Sequence, residues 1–252
     1  MLALPPHCGN NFRVLRRIHV PAVRVGEIVL DPAEAHHIRD VLRVTSGAEV
    51  ELFDDGGAVA RGVITTTGDT VVVRVETIDS LASNQLKLTV AAAVPKGDRA
   101  DWMVEKLSEL GVDEFVPLAS ERSVVLPRGT SKHERWQRIA MEAAKQSRRR
   151  GVMRIGTLTE LLPAIECADS NGWFFSTAAG ANSIASASSS IREKLHLFIG
   201  PEGGWTPGEI ALFDSKNLTP VALTATILRV ETAAIAAAAI VLAMSRDVGT
   251  KS

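Results

Sequence analysis

The chain has 252 residues, 46% hydrophobic and 23% charged, with a formal net charge of -1. That length can bury a substantial core in one large domain or two smaller ones, while the near-neutral charge gives no global polyelectrolyte argument for a nucleic-acid partner. Two cysteines, Cys8 and Cys167, exclude a disulfide framework and a multi-cysteine metal site, so no metal is expected.

The first stretch, MLALPPHCGNNFRVLRR, lacks a charged segment followed by an apolar run and does not read as a signal peptide. Residues 17–80 are β-rich: RIHVPAV, AEVELFD, AVARGVITTT and DTVVVRVETI are short β-branched runs separated by turn residues. One helix interrupts them, with Asp31 as N-cap, Pro32 at the first helical position and AEAHHIRDVLR at helical spacing. Even strand spacing predicts a small barrel. The polar stretch DSLASNQ, Asp79 to Gln85, reads as a linker and divides the chain into domains 1–80 and 81–252.

From Leu86 the pattern changes. LKLTVAAAV is a continuous apolar run, as in a strand buried on both faces. Asp101 to Leu110 is amphipathic, with Trp102, Val104, Leu107 and Leu110 near one face and Gly111 as C-cap. EFVPLAS is a strand, and Ser131 caps a long helix to about Arg148. GWFFST, HLFIG and PVALT are further strands, with helices from Pro207 and through ETAAIAAAAIVLAM. Ser176 to Ser190 is a Ser/Ala-rich connection without a packing pattern. The alternation predicts an α/β domain with a parallel sheet. The longest apolar stretch, Thr232 to Met244, is 13 residues and mostly alanine, too short to cross a bilayer. A soluble, cytoplasmic protein with no membrane partner is expected.

Three places carry chemistry. IGPEGGWTPGE joins a strand to a helix through Gly200, Pro201, Glu202, Gly203 and Gly204, with Thr206, Pro207 and Glu209 completing a capping box. The spacing matches no dinucleotide or Walker motif, and the loop holds a carboxylate and no Lys or Arg. It suits hydroxyls and amines better than phosphate, although a tight structural turn would look the same. In ILRVETAA, Arg229 and Glu231 flank a strand-to-helix junction, either placing a charged ligand or forming an ordinary ion pair. The alanine ladder after them fits close helix packing or a subunit interface. The third place is basic. Residues 81–160 hold 14 Lys and Arg against 10 Asp and Glu, and Arg148, Arg149 and Arg150 end a helix there as a solvated terminus or a phosphate-contact surface. His36, His37, Arg39 and Arg43 make a second basic patch, with adjacent histidines that point apart on a helix and so suit no metal.

Taken in order, RRIHV (16–20), AHHIRDVLRV (35–44), KGDRADWMVEKLSELGV (96–112), ERSVV (121–125), RWQRIAMEAAKQSRR (135–149), IGPEGGW (199–205) and ILRVETAAIAA (227–237) closely resemble the ribosomal RNA small subunit methyltransferase E family. The resemblance implies methylation of ring nitrogen 3 of a uridine in 16S rRNA from S-adenosyl-L-methionine, acting on the small ribosomal subunit. It implies a PUA-like β-barrel, a SPOUT domain with a deep trefoil knot, and a homodimer. It places the cofactor against Gly200, Pro201, Glu202, Gly203, Gly204, Leu223, Ile227 and Leu228, and catalysis on Arg229 and Glu231. Arg16, Arg17, His36, His37, Arg39, Arg43, Lys96, Arg99, Arg148, Arg149 and Arg150 would hold RNA. A methyltransferase of this superfamily acting on tRNA, or a non-catalytic RNA-binding assembly factor, are the rival readings. One departure stands out: Thr224-Ala225-Thr226 replaces the family's Gly-Pro-Arg.

Overall fold

The computed structural model describes residues 15–79, 86–127, 129–178, 180–187 and 191–248. The first segment with Cys8, nearly all of the expected linker and the end of the Ser/Ala-rich run lie outside the described residues. The chain divides into two compact units near residue 80, with Asp55–Gly57 grouped with the second.

In the first unit, β1 (Arg16–His19), β2 (Gly26–Val29), β3 (Glu49–Phe53), β4 (Val59–Thr67) and β5 (Val71–Asp79) form one sheet in the order β1-β3-β4-β5-β2. Only the β1–β3 pairing is parallel. Strand β2 is not among the β-branched runs expected from sequence, because Gly26 and Glu27 obscure its alternation. The helix α1 (Pro32–His36) is capped as expected: the Asp31 carboxylate accepts from the Ala33 and Glu34 amides, each at 2.9 Å. It then widens into a π-helical turn, His37–Val41, and Arg43 takes a left-handed φ of 50°. Ile18, Val50, Leu52, Ile64, Val71 and Val73, all fully buried, fill the core.

The second unit is a sheet of parallel strands: β6 (Lys87–Ala92), β7 (Glu114–Ala119), β8 (Arg154–Ile155), β10 (Gly172–Phe175), β11 (Asn182–Ser183), β12 (Lys194–Ile199) and β13 (Thr219–Ala222), ordered β11-β13-β10-β12-β6-β7-β8. A short β9 (Thr159–Glu160) pairs with β7. Helices α2 (Arg99–Leu110), α3 (Thr130–Ser147) and α7 (Val230–Val248) contribute to the same core as Leu88, Val90, Leu195 and Leu197. Helices α4 (Leu161–Cys167) and α6 (Pro207–Ser215) share a second cluster with Ala91 and Phe198, which alternate with those residues on β6 and β12, and with Phe174 of β10. This alternation makes three layers. The Ser/Ala-rich run is less empty than its composition suggests: α5 (Ile184–Ala187) buries Ile184 and Ala187.

Gly111 caps α2 as expected, at φ 102° with its amide on the Leu107 and Ser108 carbonyls. Helix α3 begins at Thr130 with Gly129 at the N-cap, so Ser131 lies inside it rather than capping it. Trp102 also departs from expectation. The buried face of α2 is Ala100, Met103, Val104, Leu107 and Ser108, leaving Trp102 47% exposed. Two expected RNA contacts are turned to structural work. Arg149 donates to the Val112 and Ser108 carbonyls at 2.6 and 3.1 Å, joining the end of α3 to the end of α2. Arg17 pairs with Glu51 at 2.8 Å, lies 4.1 Å over the Phe53 ring, and its side chain is only 4% exposed.

A charged donor on buried carbonyls is hard to replace. Arg149→Ala should therefore lower unfolding stability by about 1–3 kcal/mol, read from urea unfolding, without altering the salt dependence of RNA binding. An unchanged midpoint with weakened RNA binding would return Arg149 to the RNA surface.

Candidate active site

Because β13, β10 and β12 are parallel neighbours, the loops after them leave the same edge of the sheet, where open α/β sheets form their crevices. These loops bound a cleft of about 420 Å³. Gly200, Pro201, Glu202, Gly203 and Gly204 form one wall, Leu223, Ile227 and Leu228 another, and Phe175 to Ala178 a third. Thus the eight residues that the family resemblance singles out for a cofactor line one cleft. No Lys or Arg lines it, and its one carboxylate, Glu202, is exposed.

The glycine loop is fixed from outside the cleft. Glu209 is 3% exposed, and its two oxygens are divided between two elements. Oε2 accepts the Thr206 amide at 2.8 Å and the Thr206 hydroxyl accepts the Glu209 amide at 3.2 Å, which is the expected capping box. Oε1 accepts the Glu121 amide at 2.9 Å, reaching the turn after β7. The adjacent Arg122 donates to the Gly203 carbonyl at 2.6 Å. Trp205 donates its indole N–H to the Phe175 carbonyl at 2.9 Å, tying the loop to the end of β10.

Arg122 was missed as a site residue. ERSVV drew attention only as part of the family resemblance, and nothing local in it signals contact with a loop 81 positions away. The glycines also have reasons other than ligand approach. A Cβ on Gly200 would stand 3.0–3.2 Å from the Trp205 indole, and one on Gly203 would meet the Arg122 side chain at 3.2 Å. Gly204 has a φ of 67°, which few other residues adopt without strain.

Leu223, Thr224, Thr226, Ile227 and Leu228 connect β13 to α7 along the same cleft. At the departure from the family's Gly-Pro-Arg, the Thr224 hydroxyl donates to the Thr226 carbonyl at 2.7 Å and closes the turn locally.

Arg229 and Glu231 do not face this cleft. With Asp98, Arg99, Trp102 and Thr232 they line a second one, of about 370 Å³. Glu231 is 4% exposed and bonds not to Arg229 but to Arg99, at 3.3 Å from α7 to α2. Its Oε2 has no hydrogen-bond partner among the described residues. The Arg229 side chain is exposed and, among the described residues, makes no hydrogen bond or ion pair. The buried alanines Ala234, Ala237 and Ala238 share a core with α2 and the sheet, so packing within the chain accounts for that part of the ladder.

The cationic residues separate into two groups. Arg16 and Arg43, both exposed, line a polar cleft of about 610 Å³ in the first unit. His37, Lys96 and Arg148 are exposed, and Arg150 is half-buried. His36 bonds Asp40 at 2.6 Å, while Arg39 is drawn onto Asp40 at 2.8–3.1 Å and onto the Gly68 carbonyl at 3.0 Å. The hydrogen bond from Arg39 holds the Asp40 carboxyl below its usual pKa. No cluster suited to a metal occurs among the described residues, and none of their helices is long and apolar enough to cross a membrane.

Residues 82–242 match the RNA methyltransferase domain family and residues 30–76 the RNA methyltransferase PUA domain family. The chain is 32% identical to the ribosomal RNA small subunit methyltransferase E of Synechocystis sp., over 92% of this chain and 80% of that one. The chain belongs to this family. The crystal structure of the family's protein from Neisseria gonorrhoeae, bound to S-adenosyl methionine, is 29% identical, with a TM-score of 0.79 over 91% of this chain and 98% of that one. A methyltransferase from Legionella pneumophila, in complex with the bound cofactor SAM, is 27% identical, with a TM-score of 0.79 over 91% of this chain and 97% of that one. Family membership adds an activity to a cleft already built from backbone, hydroxyls and one carboxylate.

The two glycines should respond differently to a methyl group. Gly200→Ala presses on a buried indole and should lower stability by about 1–3 kcal/mol, with a shift in tryptophan fluorescence. Gly203→Ala displaces only a flexible arginine and should stay within about 0.5 kcal/mol of wild type. Equal losses by thermal unfolding would show that Arg122 is a rigid part of the latch.

Proposed function

We propose that this protein transfers a methyl group from S-adenosyl-L-methionine to ring nitrogen 3 of a uridine in 16S rRNA of the small ribosomal subunit. Family membership supports the rRNA methyltransferase activity, and the observation that carries the cofactor is the first cleft. Its backbone edges, hydroxyls and apolar side chains suit an adenine and a ribose, the Glu202 carboxylate suits a cation, and no side chain there offers a charge for phosphate. When bound, S-adenosylmethionine supplies an electrophilic methyl on a sulfonium centre.

The chain's own residues have three tasks. The glycine loop, held by Glu209 and Arg122, keeps a preorganised wall that needs no rearrangement on binding. Uridine N3 lies on the pairing edge, so the base must be unpaired or flipped before reaction. Loss of the N3 proton to solvent leaves negative charge shared with the uracil oxygens, and the guanidinium of Arg229, without a partner among the described residues, supplies the stabilising donor. Glu231 is anchored by Arg99 and does not orient Arg229. Arg16, Arg43, His37 and Lys96 are the cations available to phosphates, and Arg148 is also exposed. Arg39 and His36 share Asp40 and Arg99 holds Glu231, so those three contribute less.

The same reading includes closure of the N-terminal sheet into a PUA-like, RNA-gripping barrel over residues 1–80. It includes a SPOUT domain over 81–252 with a deep trefoil knot, a homodimer and a cytoplasmic location. The PUA and methyltransferase family matches support this organisation. The 84% exposed Ile227 fits cover by a ligand or a second copy.

The test is methyl transfer from labelled cofactor to free 16S rRNA, small subunits or tRNA, with mapping of the product base. Label is expected on uridine N3 of 16S rRNA; label on tRNA alone would overturn the substrate, and cofactor binding without transfer would favour an assembly factor. Arg229→Ala should lower turnover on the order of a hundredfold, with cofactor affinity and melting temperature little changed. Normal turnover would remove Arg229 from catalysis.

A further inference from the structure

Of the chain's four tryptophans, Trp136, Trp173 and Trp205 are buried at 1%, 1% and 8% exposure, and Trp102 stands 47% exposed. A large aromatic in the first turn of α2, beside the core, would ordinarily be folded inward. Instead Arg99 and Trp102, three residues apart and so on one face of the helix, border the second cleft opposite Arg229, Glu231 and Thr232. This cleft combines an indole surface, a cation without a partner among the described residues, and a buried carboxylate oxygen without one. An unmet acceptor in a site 4% exposed is costly unless an incoming donor satisfies it.

We propose that this second cleft is the subsite for the extruded pyrimidine nucleotide, with Trp102 as the platform on which its base stacks. This rests on the methyltransferase reading above and adds a specificity residue to it. The chemistry of the lining matches a uridine. The ring offers a π-face to the indole and carbonyl oxygens to Arg229. Its ribose hydroxyls are the donors available to Glu231 Oε2, while N3 is left to face the cofactor cleft. The shared segment 227–233 links this subsite to the cofactor cleft: Ile227, Leu228, Val230 and Ala233 line one cleft, and Arg229, Glu231 and Thr232 the other. One short segment thus contributes to the walls of both reactants' sites. The Arg99–Glu231 pair braces that segment against α2, the helix that carries the platform.

Two measurements test it. In methyl transfer to small subunits, Trp102→Ala should lower kcat/KM by about 5- to 150-fold, the equivalent of base–aromatic stacking worth about 1–3 kcal/mol, and Trp102→Phe should recover most of the loss. In a binding titration, a short single-stranded oligoribonucleotide containing uridine should quench the tryptophan fluorescence of the wild type and not that of Trp102→Phe. Cofactor affinity, melting temperature and oligomeric state should be the same in all three proteins. An Ala variant with unchanged kcat/KM overturns the subsite. So does one whose loss comes with an altered oligomeric state, which would make Trp102 an interface residue. If the wild type methylates no RNA, the functional reading fails, and the fluorescence titration still decides the subsite on its own.

Discussion

The buried carboxylate of Glu209 is the constraint on which the site depends. It does two things that one group rarely does together. It completes the cap of α6 through the Thr206 amide, and it takes the Glu121 amide from the turn after β7. A glycine-rich loop is entropically expensive to fix, and here the cost is offset by hydrogen bonds from outside the cleft. The inner side of the loop is left free for a ligand. Arg122 and Trp205 extend the same arrangement, one on the Gly203 carbonyl and one on the end of β10.

The charges near α7 follow a related logic. A carboxylate 4% exposed must be paired, and Arg99 is the partner supplied. That pairing releases Arg229 from the structural role its neighbour in sequence would suggest. Opposite-charge residues two apart at a strand-to-helix junction look like a natural pair, yet here they answer to different partners. The elements around them keep one cation bound in the scaffold and leave another free at the cleft.

Much of this was legible in the sequence. The period change at Leu86, the caps at Asp31, Gly111 and Thr206, and the strand-loop-helix character of 198–213 depend on local chemistry, and local chemistry is what a sequence displays. The gathering of Gly200–Gly204 with Leu223, Ile227 and Leu228 came from family resemblance, since residues some twenty apart carry no local sign of contact. What could not be read was partnership at long range. Arg122 and Gly203 are 81 apart, Arg99 and Glu231 are 132 apart, and Arg149 reaches back 37 residues to Val112. Basic residues in particular look alike in sequence whether they face solvent or, like Arg17 and Arg149, satisfy buried groups. Trp102 was misplaced for a different reason: hydrophobic spacing assumes that every large apolar residue seeks the core, and one at a site edge does not.

The Glu209 latch, outside the cleft, makes the cofactor wall. Its most direct measurement is S-adenosylmethionine affinity by titration calorimetry on the wild type and Glu209→Ala, with melting temperature recorded on both. Binding by the wild type is expected, with at least about a tenfold loss in the variant, equivalent to about 1.4 kcal/mol, in a protein that remains folded. A folded Glu209→Ala variant that binds the cofactor as tightly as wild type would contradict it.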